Sequence, residues 1–271
     1  MKKTYVHLIS DSTGDTLSII AKTVFAQFDQ VETKQYLWAL VKTRTQLERV
    51  LAVIRQRPGI IMHTISNEEH VSILEEESKA NNIPCVEVLR NVVRKVACYL
   101  KKEPNPEPGK HHVIDKEYFK RVGAINFTIT HDDGQYTENL RNANIILVGP
   151  SRTSKSPTSM YLAYKGFKTA NIPYVSGVEF PKELKELKRV FFVGLLICAK
   201  RLVEIRKSRL LSMSEHHHTS YVDEEKVKEE MLEAKRFCVK NGWPIIDITN
   251  KSVEETSARI IQMYYSWRKK K

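Results

Sequence analysis

The stretch NIILVGPSRTSKSPTSMYLA, residues 144–163, decides how the rest of the chain is read. Ile145, Ile146, Leu147 and Val148 form a short, unbroken apolar run, the pattern of a strand covered on both faces. Gly149, Pro150, Ser151, Arg152, Thr153, Ser154, Lys155 and Ser156 then follow the spacing of a phosphate-binding loop, G-x-x-x-x-G-K-[ST], with Ser154 where the second glycine belongs. A helix is expected to follow, and Pro157 suits its start because the N–H that proline lacks has no partner there. Strand, tight loop and helix are the setting such a loop requires. Successive N–H groups curl around an anion, and the helix turns its positive end toward it. Lys155 then reaches the outer phosphates, the Ser156 hydroxyl can ligate magnesium, and Arg152 offers a planar fork to phosphate oxygens. The plain alternative is an ordinary strand-to-helix turn carrying a surface lysine.

On the amino-terminal side, strands are expected over 4–10, 36–41, 60–65 and 84–86, alternating with helices over 17–28, 44–55, 71–80 and 88–102. Such alternation builds a parallel sheet with helices on both faces, whose ligands gather at the carboxyl ends of the strands. The SDSTGDT segment, residues 10–16, falls on that edge. Gly14 allows a tight turn there, either to hold an anion or a peptide or simply to cap the next helix. Pro104, Pro106 and Pro108, followed by Gly109, cannot continue a helix or a central strand. A linker over 104–112 is expected between domains 1–103 and 113–271, a long surface loop being the alternative. The fold class is therefore α/β: a parallel-sheet amino-terminal domain plus a P-loop-containing α/β carboxy-terminal domain. No internal repeat is visible.

A helix over 116–129 runs into Thr130, His131, Asp132, Asp133 and Gly134. Two carboxylates beside a histidine, just ahead of the loop, suit a general base or a magnesium ligand, and equally suit a polar turn closing a helix. Adjacency does not say which aspartate acts. Beyond the loop, strands are expected over 168–175 and 190–196, a short helical turn over 181–186, and helices over 199–210 and 222–240. A strand over 245–247 ends in Asp247, which is either a magnesium ligand of the kind found in phosphate-loop proteins or a turn residue. Ser252 and Glu255 fit a capping box at the head of the last helix, 252–266. His216, His217 and His218 are consecutive and cannot all face one ion from regular structure, so a polar loop is expected there rather than a metal site.

Composition bounds the function classes. The 271 residues carry a formal net charge of +12, a field that favours acidic partners or reflects solvated basic faces. Cys85, Cys98, Cys198 and Cys238 stand singly, with neither disulfide nor zinc spacing, as expected of reduced thiols in the cytoplasm. No signal-peptide core and no membrane-length apolar run occurs, so neither secretion nor a membrane role is expected. No stacking motif of a nucleic-acid module is present, so nucleic acid is not expected as a partner. A symmetric homodimer is the default for such a chain. From the residues alone, the reading reaches a nucleotide-binding α/β protein with a carboxylate pair beside its loop, which points to phosphoryl transfer. A nucleotide-switched binding module that transfers nothing is the competing class.

Several stretches, in order, resemble the pyruvate, phosphate dikinase regulatory protein family, closely related to the phosphoenolpyruvate synthase regulatory proteins. VGPSRTSKSPTSMYLA is similar to that family's G-V-S-R-T-S-K-T-P-[TL]-S, in which Ser154 belongs to the usual form. Pro150 removes one N–H donor from that pattern, and Ser156 keeps the hydroxyl. SDSTGDT resembles S-D-[SG]-T-G-x-T, and WPIIDITNKSVEET resembles W-P-V-I-D-V-T-x-x-[SA]-[IV]-E-E-T. AINFTITHDDGQ resembles A-I-E-F-A-I-x-H-D-D-G-Q, with Asn126 in place of the glutamate. A match to G-L-x-I-x-x-x-R-L-x-x-I-R-x-x-R-L makes Arg201, Arg206 and Arg209 candidates for holding phosphate or an acidic partner, or else solvated helix arginines. The resemblance implies a bifunctional enzyme. It phosphorylates a threonine of the dikinase with ADP as donor, and removes that phosphate with inorganic phosphate, releasing pyrophosphate. With the reading of the residues, His131, Asp132, Asp133 and Lys155 stand as catalytic candidates, residues 149–156 as the ADP site, and Ser156 and Asp247 as the magnesium candidates. Phosphoenolpyruvate synthase is the alternative partner.

Overall fold

The computed structural model describes residues 3–105, 116–135, 137–180, 184, 187, 189–213 and 219–270. The chain divides into two compact units, Met1–Val113 and Ile114–Lys271. Of the expected linker, only 104 and 105 lie among the described residues, and His216, His217 and His218 lie outside them.

The first unit runs β1 (Lys3–Ile9), α1 (Asp15–Phe25), β2 (Glu32–Trp38), α2 (Arg44–Gln56), β3 (Ile60–His63), α3 (Glu68–Ala80), β4 (Cys85–Glu87) and α4 (Arg90–Leu100). Its strands form one parallel sheet in the order β2-β1-β3-β4. β2 starts and ends earlier than the expected 36–41. It is an edge strand with no fully buried residue, and its polar half, Glu32 to Gln35, carries no apolar signal. Helix starts follow local chemistry. Thr43 and Gln46 close a capping box on α2, and Asn67 accepts from the His70 N–H at 3.0 Å at the head of α3.

The second unit runs α5 (Lys116–Thr130), two short 3₁₀ turns (Asp132–Gly134 and Thr137–Asn142), β5 (Ile145–Gly149), α6 (Lys155–Tyr164), β6 (Thr169–Pro173), β7 (Phe191–Leu196), α7 (Ala199–Met213), α8 (Glu224–Lys240), β8 (Ile245–Asp247) and α9 (Val253–Lys269). A further short turn, Thr219–Val222, precedes α8. The sheet is again parallel, in the order β6-β5-β7-β8. The two units thus repeat one strand order, although the sequence shows no repeat. Of the helical turn expected over 181–186, only Leu184 is described, and it is helical.

β5 and β7 are buried at every position, as continuous apolar runs predict for strands covered on both faces. Their residues alternate between two cores. Ile145, Leu147, Val193 and Leu195 pack with Leu162, Leu202, Ala234 and Ile260 on one face. Ile146, Val148 and Phe192 pack with Leu140, Ala170 and Phe180 on the other. Fully burying each such side chain stabilises the fold by about 1.5–3 kcal/mol. Because β6 lies on one side of β5 and β7 on the other, the chain turns opposite ways at the carboxyl end of β5, and a crevice opens there. The 149–156 loop leaves β5 at that edge.

Candidate functional site

Gly149 closes β5 in a place with no room for a side chain. A Cβ there would lie 2.4 Å from the Leu195 carbonyl oxygen of β7 and 2.9 Å from Thr153 Oγ1. The loop then takes left-handed backbone at Arg152 (φ 72°) and again at Ser154 (φ 52°). Serine therefore adopts the conformation for which the general pattern uses glycine, at roughly 1–2 kcal/mol of backbone strain. Left-handed residues on either side of Thr153 belong to the kind of loop backbone that forms anion-cupping nests of N–H groups. α6 begins at Lys155 with Ser154 as its N-cap, so Lys155 and Ser156 belong to the helix rather than to the loop before it. Pro157 falls in the first turn, as its missing N–H requires.

Cations hold the loop from below. Lys155 is 6% exposed, and its Nζ donates to the Pro150 carbonyl at 2.9 Å, which also accepts from Thr153 Oγ1 at 2.8 Å. Burial pulls the Lys155 ammonium down to about 8, opposed by the nearby carboxylates of Asp133 and Asp132. Arg206 of α7 is 3% exposed and donates to the Ser151 carbonyl at 3.2 Å and the Tyr221 carbonyl at 3.2 Å. It forms a two-pronged pair with Glu230 of α8, at 2.8 and 3.1 Å. Arg206 is therefore neither a solvated arginine nor a group aimed at solvent. It ties two helices and the turn before α8 to the loop. Arg201, by contrast, is exposed and pairs with Glu204 on its own helix at 2.8 Å.

The acidic turn meets the start of α6. Asp132 Oδ1 accepts from the Ser156 hydroxyl at 3.0 Å and from the Asn171 side-chain amide. Asn171, on β6 and 1% exposed, also donates to Ser156 Oγ at 3.2 Å and accepts from the Asp133 N–H at 3.0 Å. One buried amide therefore fixes both aspartates and the serine. Asp133 itself has left-handed backbone (φ 52°, ψ 36°) and is exposed. His131 is buried and stacks on Phe127 with ring centroids 3.9 Å apart. Its Nδ1 lies 2.7 Å from the Phe127 carbonyl, and Nε2 has no partner among the described residues. Asn171 escaped the sequence reading. The available signal was an amide residue of poor strand propensity at the centre of a short strand.

Asp247 is not brought into hydrogen-bond contact with these residues. It ends β8, on the far side of β7 from β5, and accepts from the Thr249 N–H and hydroxyl at 2.9 and 2.5 Å. Those bonds hold its carboxyl below the usual range. In the first unit, Asp11 of the SDSTGDT segment is buried and accepts from the Ser66 N–H at 2.7 Å, clamping the ends of β1 and β3 together. Among the described residues no group of three or more histidines, cysteines and carboxylates is placed to hold a metal, and no helix is long and apolar enough to cross a membrane.

A buried lysine, a looped row of N–H groups and an ordered carboxylate turn suit chemistry on phosphate, and the relatives of the chain agree. The family model described as kinase/pyrophosphorylase matches residues 6–261. The chain belongs to that family. A protein of Sphingopyxis alaskensis is 48% identical over 263 residues, covering 97% of each chain. One of Erythrobacter litoralis is 43% identical over 264 residues, covering 97% of this chain and 95% of its own. One of Ehrlichia chaffeensis is 43% identical over 260 residues, covering 96% and 95%. All three are provisionally named pyruvate, phosphate dikinase regulatory proteins. The family match spans both units, so the kinase/pyrophosphorylase description applies to the two-unit chain and not only to the part that carries the loop.

Proposed function

We propose that the chain regulates pyruvate, phosphate dikinase by moving a phosphoryl group on and off one of its threonines, with ADP as donor and inorganic phosphate as the acceptor that removes it. The names of the relatives support the dikinase rather than phosphoenolpyruvate synthase as the partner. The observation that carries the chemistry is the Asn171 knot, which sets Asp132, Asp133 and Ser156 beside the loop and its buried lysine.

In the forward direction the loop N–H groups and Arg152 take the diphosphate, and Lys155 exchanges the Pro150 carbonyl for a phosphate oxygen. The threonine oxygen attacks the β-phosphorus, the bond to the bridging oxygen breaks, and AMP leaves. Asp133 takes the threonine proton. Asp132 is committed to Ser156 and Asn171, whereas Asp133 is exposed and aimed by its N–H bond to Asn171. In the reverse direction an oxygen of inorganic phosphate attacks the phosphorus of the phosphothreonine, the bond from that phosphorus to the threonine oxygen breaks, and the pyrophosphate so formed departs. Asp133 returns the proton to the threonine oxygen. The Ser156 hydroxyl and the Asp132 carboxylate, which are hydrogen-bonded at 3.0 Å, are the groups that would hold a magnesium ion, and the ion would supply charge neutralisation for the transferring group.

The test is incubation of β-labelled ADP with the protein and pyruvate, phosphate dikinase. Label should appear on a threonine of the dikinase, and Asp133→Asn should slow both directions by about 10²-fold or more. ADP that binds but transfers no label would replace this reading with the nucleotide-switched module. Undiminished rates in Asp133→Asn would remove that residue as the base.

A further inference from the structure

Beside the loop, the second unit holds a cavity of about 830 Å³, within the size range of small-molecule sites. The loop lines it at Ser151 and Arg152, and the opposite walls come from the residues after β6 and from α7 and α8. The acidic turn contributes nothing to this wall.

We propose that this cavity seats the nucleoside of the diphosphate donor, an assignment that rests on the phosphoryl-transfer reading above. Ser151 and Arg152 belong both to the loop that takes the diphosphate and to the cavity wall, so a nucleoside joined to a diphosphate in the loop has the cavity beside it. The acceptor threonine belongs beside Asp133, and the acidic turn lines no part of the cavity, which leaves the cavity to the donor. The cavity walls mix apolar and charged groups: Val175, Val227 and Leu210 are apolar, Tyr174 and Tyr221 offer rings to a flat base, and Arg209, Lys226 and Glu229 add charge around them. Both rings are fixed in advance. The Arg206 guanidinium lies 4.4 Å from the Tyr221 ring centroid, and the Tyr221 hydroxyl is 3.3 Å from Ser151 Oγ. Tyr174 has its backbone tied to the end of β5 by its N–H bond to the Gly149 carbonyl at 3.0 Å, and its ring packs against Phe237 with centroids 5.4 Å apart. Glu233, which accepts from the Ser176 hydroxyl at 2.5 Å, offers an acceptor for ribose hydroxyls or an exocyclic amine.

Filling the cavity tests this. Val175→Trp and Leu210→Trp act on different elements and remove no hydrogen bond. Each should weaken ADP binding about tenfold or more, read by calorimetric titration, while pyrophosphate, which has no nucleoside, binds within about twofold of wild type. Phosphorolysis of the phosphorylated dikinase, which uses no nucleoside, should also stay within about twofold. If both directions slow alike while ADP binding holds, the cavity receives the acceptor protein and the assignment is overturned. Unchanged ADP affinity in both variants overturns it as well. A wild-type protein that binds pyrophosphate but not ADP would instead defeat the donor reading on which the assignment rests.

Discussion

At the scale of single residues, the site depends on a lysine held below its ordinary pKa. Burial brings Lys155 from 10.5 to about 8, against the pull of Asp133 and Asp132. Two opposite pH trends follow. The folded chain binds fewer protons than the unfolded chain between about 8 and 10.5, so the contribution of Lys155 to stability rises with pH across that window. Anion binding needs the charged form, so ADP affinity should be flat to about pH 7 and fall above pH 8, approaching tenfold per unit. Lys155→Arg keeps its charge throughout and should hold its affinity to pH 9.5, read by the same titration. An equal decline in both proteins would trace the effect to another group. The importance of Lys155 was legible in the sequence because spacing announces it. Its present bond to Pro150 was not, because a carbonyl partner five residues back along the chain depends on the loop closing on itself. Asn171 was illegible for a related reason. Its three partners lie 15 to 39 residues away in sequence and meet only once β6 lies beside the acidic turn.

At the scale of elements, the strands buried on both faces and the capped helices could be read directly. β5 and β7 are continuous apolar runs, and the Ser252–Glu255 capping box forms as the residue pattern predicts, at 2.8 and 3.1 Å. The edge strand β2 was misplaced because only one of its faces is covered. What no pattern announced is that α7 and α8 grip the loop through Arg206 and Glu230. Arg206→Met should therefore destabilise the protein by about 3 kcal/mol, since it leaves Glu230 charged and without its cation. Adding Glu230→Leu should recover much of that loss in urea titrations, because a buried pair replaced by apolar groups is often close to neutral. Anion affinity should not recover, because the Ser151 carbonyl still lacks its donor. If pyrophosphate bound normally to the double variant, Arg206 would be a packing residue with no hold on the loop.

At the scale of the whole molecule, one strand order is used twice, and each copy closes its own core. The clusters around Ile61 and Leu8 draw only on residues of the first unit, and those around Leu147 and Ile146 only on residues of the second. His131, Asp132, Asp133, the loop, Asn171, Arg206 and the cavity all belong to the second unit. A fragment spanning residues 114–271 should therefore fold and bind ADP within about threefold of the full chain, since it holds every residue assigned above to the proposed site. Calorimetry of the full chain should resolve two transitions. Saturating ADP should raise only the one that the fragment also shows, by the equivalent of about 2.7 kcal/mol at a hundredfold excess over Kd. The logic is linkage: a ligand stabilises the cooperative unit that must unfold to release it and leaves an independent unit untouched. A single transition that moves as a whole with ADP would mean that the two cores melt together, and the loop would then draw its order from the first unit as well as from its own sheet.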